Sequence, residues 1–191
     1  MDRHAAIEAI LEHVKGTDLV MSTTGMISRE VHSIKDRPGN FYMIGSMGLL
    51  SSLGLGVALL NPELKTIVLE GDGSALMNLG TLPLIAVEKP SNLIHIILDN
   101  QAYESTGSQP TITSEVSLAR IGEAAGYPNV VQVDGISRLK ECFVTCYNEA
   151  GPHLIVARVE LSPPSGIPRV EIEPHVLSQR LKNFINGGEG I

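Results

Sequence analysis

Apolar positions along the chain fall into two patterns, helical spacing and short continuous runs. Helical spacing is first seen at Ala5, Ile7, Ile10, Leu11 and Val14, a segment that Gly16 ends. Continuous apolar runs are typical of strands buried on both faces of a parallel sheet. Runs of strand length are DLVMST, FYMI, KTIVLE, NLIHIILDN, NVVQV and HLIVARVE. Further helices are predicted from GSMG to about Leu60 and over residues 78–89, 114–126, 137–149 and 175–185.

Strands and helices therefore alternate along almost the whole chain. This order predicts an α/β fold with a doubly wound, mostly parallel sheet and helices on both faces. Residues 1–161 are predicted to form one domain, and residues 162–191 a Pro-rich arm followed by a C-terminal helix. The stretch TTGMISREVHSIKDRPGN, between the first two strands, is interpreted as a polar connection.

Composition and charge exclude several classes of function. The chain has 191 residues, 43% of them hydrophobic, and a net charge of −7 without a block of basic residues, so we expect no nucleic-acid partner. The N-terminal MDRHAAIEAILEHV carries charges through its apolar positions, unlike a targeting segment. The longest apolar stretch, MGLLSSLGLGVALL, is too short to span a bilayer. We expect a cytoplasmic protein without a membrane partner.

The two cysteines, Cys142 and Cys146, lie four residues apart and would share one face of a helix. They could form a redox pair or half of a metal site. Packing as two small buried apolar side chains is the favoured interpretation, because no other cysteine and no paired histidine completes a usual ligand set.

Chemistry in an open α/β sheet is expected in the loops that leave the carboxyl ends of the strands. Four such loops are TTG, GSMG, GDGS and DNQAYESTGSQPT. Gly71 and Gly73 let the backbone approach a phosphate closely. Asp72 between them would repel that phosphate unless a cation such as Mg²⁺ stood between the two. Asn100, at the end of the next strand, can offer its side-chain oxygen to the same ion.

Simpler interpretations exist for each of these residues. GDG is a common turn, Asn100 can cap a turn, and His95 fits a core position in a strand. The GLG at residues 54–56 lies inside an apolar helix, which favours helix packing over a dinucleotide-binding loop. The functional interpretation gains support because GDGS and DN close two strands that are predicted to be adjacent.

These motifs resemble a known family. GDGS, followed by a helix, a strand and LDNQAY, resembles the thiamine diphosphate-binding motif, whose usual form is GDG, a similar spacer and a closing NN. From about Leu19 to Val159, the segments STTGMISRE, RPGNFYMIGSMG and LDNQAYESTGSQPT are similar to thiamine diphosphate-dependent decarboxylases. The resemblance is greatest to the β subunit of sulfopyruvate decarboxylase and the C-terminal half of phosphonopyruvate decarboxylase.

The resemblance implies a set of site residues. Asp72 and Asn100, with the backbone oxygen of Ala102, would bind Mg²⁺. The implied cofactor-binding residues are Gly45, Ser46, Met47, Gly71, Asp72, Gly73, Ser74, Asn100, Ala102 and Ser105. Within this set, Gly73, Ser74 and Ser105 would contact the diphosphate, Met47 would support the bent cofactor, and Gly45 would accept a hydrogen bond from its aminopyrimidine. Two positions depart from the family pattern, Asp99 in place of the first Asn of NN and Met26 in place of a polar residue.

The implied function is that of a β subunit of a thiamine diphosphate- and Mg²⁺-dependent 2-oxo acid decarboxylase. Its expected substrate is sulfopyruvate, which would yield sulfoacetaldehyde and CO₂ in coenzyme M biosynthesis. The alternatives are phosphonopyruvate, a plainer 2-oxo acid, or a non-catalytic cofactor-binding or regulatory subunit. The resemblance also implies a partner α subunit, whose pyrimidine-binding domain brings the activating glutamate.

Acid–base residues of this chain are not assigned by the resemblance, although His32 and Glu104 lie near matched loops. Arg29, Lys35 and Arg37 lie between the first two loops. They could attract the anionic group of the substrate, but a solvated surface is the favoured interpretation.

Overall fold

The computed structural model describes residues 1–161 and 166–187, which form a layered α/β structure around a six-stranded sheet. All its strand pairs are parallel, in the order β2-β1-β3-β4-β8-β7. Its strands are β1 (Leu19–Ser22), β2 (Asn40–Tyr42), β3 (Thr66–Gly71), β4 (Leu93–Asp99), β7 (Asn129–Val133) and β8 (His153–Arg158). A separate antiparallel pair consists of β5 (Ala102–Tyr103) and β6 (Gln109–Pro110).

Helices cover both faces of the sheet. The helices are α1 (Arg3–Leu11), α2 (Met26–Ile34), α3 (Leu50–Leu60), α4 (Asp72–Met77), α5 (Thr81–Glu88), α6 (Leu118–Ala124), α7 (Ile136–Asn148) and α8 (Pro174–Ile185), with a 3₁₀ turn at Ile112–Ser114. Alternate residues of the buried strands enter two cores, as period-2 geometry requires. In β8, Ile155 belongs to the core cluster that includes residues of α1, α2 and α7, and Leu154 to the cluster that includes residues of α3, α5 and α6. The predicted fold class is confirmed.

The region between β1 and β2 corrects the sequence interpretation. The predicted polar connection is wrong, because Met26–Ile34 form the helix α2. Ile27 and Val31 lie one turn apart and are buried, which gives the helix an apolar face. Its polar residue Glu30 is also buried, and Arg3 of α1 compensates its charge.

Two helices near the predicted loops begin at different positions from those expected. The residues GSMG form a loop, and the helix after them starts only at Leu50. The short helix α4 begins directly at Asp72, before the predicted helix over residues 78–89. The GDGS motif therefore joins β3 to a helix without an intervening loop.

The C-terminal helix α8 packs against β2, at the edge of the sheet. Arg180 donates hydrogen bonds to Asp36 Oδ2 (3.0 Å) and to the Asn40 carbonyl (2.7 Å), and its guanidinium lies over the Tyr42 ring. These contacts cover an edge strand that would otherwise be open. Residues 162–165 of the predicted arm and 188–191 at the chain end lie outside the described residues, and the domain division at 161/162 stays a prediction.

Cys142 and Cys146 are buried on α7 and are not joined by a disulfide. Burial raises the pKa of Cys146 to about 11, so its thiol stays protonated near neutral pH. Both residues belong to the core cluster beneath α7, as their apolar interpretation predicted. Within the described part of the chain, no helix combines the length and the apolar character needed to cross a bilayer.

Candidate cofactor-binding site

One cleft lies at the carboxyl ends of β1, β3 and β4, where the predicted loops meet. Its empty volume is ≈ 480 Å³. Predicted site residues that line it are Met47, Gly71, Asp72, Gly73, Ser74, Asn100, Ala102 and Ser105. The structure thus brings the GDGS and DNQA motifs together, because parallel strands end at the same edge of a sheet. Gly45 and Ser46 do not line this cleft; they are exposed and border a groove beside Leu177 and Leu181 of α8.

Gly73 is required at its position by close packing. A Cβ atom there would lie 2.5 Å from Cε1 of Tyr103 and 3.3 Å from Cε of Met47. Any side chain would therefore displace two residues of the cleft wall. At the start of α4, the first backbone N–H groups have no partner within the helix. The backbone of GDGS is consequently able to approach and bind an anionic ligand.

Asp72 is a buried carboxylate at the centre of the cleft, with 2% of its surface exposed. Its Oδ2 accepts hydrogen bonds from Thr111 Oγ1 (2.6 Å) and Thr113 Oγ1 (3.3 Å). Burial, followed by the nearby charge of Asp99, raises the pKa of Asp72 above its usual range. A bound cation would offset both effects. The buried carboxylate therefore fits a metal ion that prefers oxygen ligands.

Asn100 caps a turn and also faces the cleft. Its Oδ1 accepts a hydrogen bond from the Ala102 N–H (3.0 Å), and its Nδ2 donates to Glu104 Oε2 (2.8 Å). An amide oxygen has two lone pairs, so capping leaves one acceptor position for a cation. With Asp72 and the Ala102 carbonyl, the donors are all oxygen atoms, as Mg²⁺ requires. Among the described residues, no group of three or more His, Cys, Asp or Glu side chains could hold a metal by themselves.

Arg3 is a cleft residue that the sequence interpretation missed. It lies on α1, is 3% exposed, and donates to Glu30 (2.8 and 2.9 Å) and to Glu104 (3.1 Å, with a second, closer contact). Burial lowers the pKa of Arg3, but the hydrogen bonds and charges of the two glutamates outweigh it and raise the pKa overall. Because Glu104 also accepts from Asn100, Arg3 helps to hold a predicted metal ligand. A single arginine near the start of a helix gave no sequence signal.

A buried hydrogen-bond network supports Ser74 from below. Ser74 Oγ donates to Glu70 Oε1 (2.7 Å) and accepts from the Gly48 N–H (3.0 Å) and Thr23 Oγ1 (3.2 Å). Glu70 Oε2 lies 3.0 Å from His95 Nε2, and His95 Nδ1 lies 3.2 Å from the Tyr127 hydroxyl. Glu70 and His95 are at most 1% exposed. His95 is therefore a core strand residue, as predicted, and it also reaches the site through Glu70.

Other candidate residues lie outside the cleft. His32 packs edge-on against the Tyr42 ring at 5.4 Å. Arg37 is neither solvated nor free to attract an anion, since it is buried and donates to the carbonyls of Lys15 (2.5 Å) and Asp18 (2.8 Å). Lys35 is exposed.

Gly54 of the GLG sequence packs against β3, because a Cβ there would lie 2.4 Å from Val68 Cγ2. This close approach supports the helix-packing interpretation of GLG. Nothing in the cleft wall comes from this part of α3.

Comparison with known proteins defines the class of this domain. Residues 23–157 match the family described as thiamine pyrophosphate enzyme, C-terminal TPP binding domain. The chain belongs to this family, which confirms the resemblance inferred from the motifs.

Individual relatives are decarboxylases. The chain is 40% identical to sulfopyruvate decarboxylase subunit beta of Methanocaldococcus jannaschii, over 94% of each chain. It is 38% identical to phosphonopyruvate decarboxylase of Streptomyces hygroscopicus, over 95% of this chain but 45% of that protein, so it spans about half of that relative's length. The fold is similar to that of benzoylformate decarboxylase from Polynucleobacter necessarius, with a TM-score of 0.72 and 17% identity over 86% of this chain and 34% of that one.

Proposed function

We propose that this chain is the β subunit of a thiamine diphosphate- and Mg²⁺-dependent decarboxylase that converts sulfopyruvate to sulfoacetaldehyde and CO₂. The observation that carries the proposal is the position of Asp72. This buried carboxylate lies beside the close-packed Gly73, in one cleft with Asn100 and Ala102. Among the described residues this carboxylate has no cationic side-chain partner, which fits a metal ion that links the protein to a diphosphate.

In this proposal, different residues bind the metal and the diphosphate. Asp72, Asn100 and the Ala102 carbonyl would hold Mg²⁺, with Thr111 and Thr113 orienting the Asp72 carboxylate. The backbone N–H groups of Gly73 and Ser74, with the Ser105 hydroxyl, would bind the diphosphate. The single proton of the Ser74 hydroxyl is already donated to Glu70, so only the Ser74 backbone remains as a donor.

Met47 and the loop that carries it would position the organic part of the cofactor. Met47 lies against Gly73, and the neighbouring Gly48 N–H is tied to Ser74 Oγ. Gly45 and Ser46 precede Met47 in the same loop and stay predicted cofactor contacts, although they border the groove beside α8 and not the cleft. When bound, thiamine diphosphate supplies the electron sink for loss of CO₂ from a 2-oxo acid.

The preference for sulfopyruvate is supported by the relatives. The beta subunits of sulfopyruvate decarboxylase from Methanocaldococcus jannaschii and Methanothermobacter thermautotrophicus are matched over 94% and 97% of their lengths. Phosphonopyruvate is the second candidate substrate, because phosphonopyruvate decarboxylase of Streptomyces hygroscopicus is of similar identity, 38%. Both substrates are 2-oxo acids with an additional anionic group.

A partner α subunit completes the proposed enzyme. The name subunit beta of these relatives supports a heteromer. In this proposal the partner brings the pyrimidine-binding domain and its activating glutamate, and this chain brings the metal and diphosphate sites. Asp72 accepts a hydrogen bond from Thr111, and Glu104 accepts one from Arg3. Both cleft carboxylates of this chain are therefore suited to holding other groups in place, while the activating glutamate comes from the partner.

The test begins with purification of this chain together with its partner from native cells, followed by mass spectrometry and decarboxylation assays. Sulfopyruvate is expected to be turned over only with thiamine diphosphate and Mg²⁺. Asp72→Asn is expected to lower activity at least about 100-fold without changing assembly, since it removes the ligand charge. Asp134→Asn, at an exposed carboxylate, is the control.

Three outcomes separate the alternatives. Turnover of phosphonopyruvate alone would favour the second substrate. Cofactor binding by the complex without turnover of any 2-oxo acid would favour a regulatory subunit. Full activity of Asp72→Asn would contradict the metal assignment.

A further inference from the structure

The arginines of the chain differ in whether a partner compensates their charge. Those with a hydrogen bond or an ion pair are Arg3, Arg37, Arg138, Arg158 and Arg180. Within residues 1–161 and 166–187, no partner is found for Arg29, Arg120 and Arg169. Arg120 is exposed on α6, whereas Arg29 and Arg169 line the same cleft. Two uncompensated guanidinium groups thus share one cavity.

This second cleft borders the candidate cofactor site. Its volume is ≈ 640 Å³, and it lies between the start of α2, the loop after β2 and the segment that leads into α8. Thr24, Gly25 and Ser105 line both clefts, so a ligand at their common edge reaches both. The second cleft is large enough for a small organic substrate beside the cofactor.

Burial distinguishes the charges within the second cleft. Arg29 is half-buried, whereas Glu171 and Glu173, which also line the cleft, are exposed and form no ion pair with it. Solvent and salt screen exposed charges more strongly than partly buried ones. Arg29 therefore presents its positive charge to a ligand at the inner wall, whereas Arg169, Glu171 and Glu173 all lie nearer the solvent.

We infer that Arg29, together with Arg169, binds the sulfonate or phosphonate group of an anionic 2-oxo acid in this second cleft. The inference rests on the proposed decarboxylase function and names the residues that recognise its substrate class. A guanidinium group matches a tetrahedral oxyanion through paired N–H···O bonds, which a solvated lysine does not reproduce. The keto carbon of the same molecule would lie at the edge formed by Thr24, Gly25 and Ser105, next to the cofactor cleft.

The complex of this chain with its partner is the material for the test. Steady-state rates are measured for sulfopyruvate, phosphonopyruvate and pyruvate, the last of which lacks the second anion. Arg29→Gln is expected to lower kcat/KM for the preferred anionic substrate by about 10- to 100-fold, mainly through KM, and to change pyruvate turnover less than about twofold. Arg29→Lys is expected to retain part of the affinity. Lys35→Gln removes an exposed cation at the end of the same helix and is the matched control, expected to behave as the wild type.

The outcomes distinguish this inference from the proposed function. A wild-type complex that decarboxylates neither anionic substrate would overturn the proposed function and the inference with it. An active wild type whose Arg29→Gln variant keeps its preference for the anionic substrate would overturn the inference alone, as would an equal loss for all three substrates. If Arg29→Gln does not assemble, the exposed Arg169→Gln is expected to show the same selective rise in KM, and its absence would overturn the inference. Comparison of sulfopyruvate with phosphonopyruvate identifies which oxyanion the site takes.

Discussion

The hydroxyl of Ser74 donates a hydrogen bond of 2.7 Å to the carboxylate of Glu70, a residue with no exposed surface. The two residues lie at opposite ends of the β3–α4 junction, so the bond spans the GDGS motif from beneath. Ser74 Oγ also accepts from Thr23 and from the Gly48 N–H, and it thereby connects the TTG and GSMG loops to the β3–α4 junction. The side chain of Ser74 therefore holds these segments together. Only the backbone of Ser74 contributes to the proposed cofactor site.

Ser74→Ala is expected to lower the free energy of unfolding by about 1–3 kcal/mol, because it leaves buried groups of Glu70, Thr23 and Gly48 without a partner. Urea denaturation of the purified chain measures this difference. Ser137→Ala, at an exposed serine on α7, is the control and is expected to change stability by less than about 0.5 kcal/mol. Equal stability of the two variants would show that the network adds nothing to the fold.

Arg3→Met is expected to destabilise the fold by about 3–5 kcal/mol, because it leaves the buried Glu30 and the half-buried Glu104 without a counter-charge. Release of Glu104 would also free the Asn100 amide that it holds, so Mg²⁺ affinity is expected to fall. Thermal unfolding reports the first effect and calorimetric titration with Mg²⁺ and thiamine diphosphate the second.

The control for Arg3→Met is Arg138→Met, which removes an exposed arginine from an ion pair with Glu141. Such a surface pair contributes about 1 kcal/mol at most. If Arg3→Met is as stable as Arg138→Met, the buried cluster has no structural role. If its stability falls while Mg²⁺ affinity stays unchanged, the connection to Asn100 has no influence on the metal site.

The fold followed from the sequence because the central strands β1, β3, β4 and β8 are buried on both faces. The run NLIHIILDN is continuous and apolar for this reason, and its central residues enter the two cores alternately. Helix α2 was missed although Ile27, Val31 and Ile34 have helical spacing, because the surrounding segment is polar over most of its length. Glu30 is buried only because Arg3, which is 27 residues away, pairs with it. A local pattern contains no information on such a contact.

The candidate site was predictable where the backbone itself carries the chemistry. Gly73 and Asp72 stand in a recognisable motif because close packing at Gly73, and the metal binding that we propose for Asp72, demand those residue types at fixed spacing. The side chains that hold the site residues in place were not predictable. Thr111 lies 39 residues from Asp72 along the chain, and Arg3 lies 101 residues from Glu104. Only the folded chain brings these side chains together.

Two glycines of α3 provide a matched pair of variants. Gly54→Ala is expected to destabilise the protein by about 1–3 kcal/mol, because the new Cβ would lie 2.4 Å from Val68 Cγ2 in β3. Gly56→Ala meets no atom within 4 Å and is expected to stabilise the helix by about 0.5–1 kcal/mol. Both changes gain the same helix propensity, so the difference in their unfolding free energies isolates the packing cost. Similar values for the two variants would contradict close packing at Gly54.

His153 is expected to make stability depend on pH in the mildly acidic range. It is 1% exposed at the start of β8, its Nδ1 has no hydrogen-bond partner among the described residues, and burial lowers its pKa below 6.5. As pH falls below 6.5, the unfolded chain binds a proton that the folded chain does not, so the free energy of unfolding decreases until the folded pKa is reached. Above 6.5 this contribution to pH dependence vanishes.

Denaturation of the wild type and His153→Gln at several pH values between about 5 and 8 measures the effect. The wild type is expected to lose up to about 1.4 kcal/mol per pH unit more than the variant on the acid side. His175→Gln, at an exposed histidine of α8, is the control and is expected to follow the wild type. A packing cost of the substitution would shift the free energy of unfolding of His153→Gln by the same amount at every pH. It would not change the slope against pH, which is the quantity compared. Parallel curves for His153→Gln and the wild type would mean that His153 takes up its proton equally in the folded and unfolded chains.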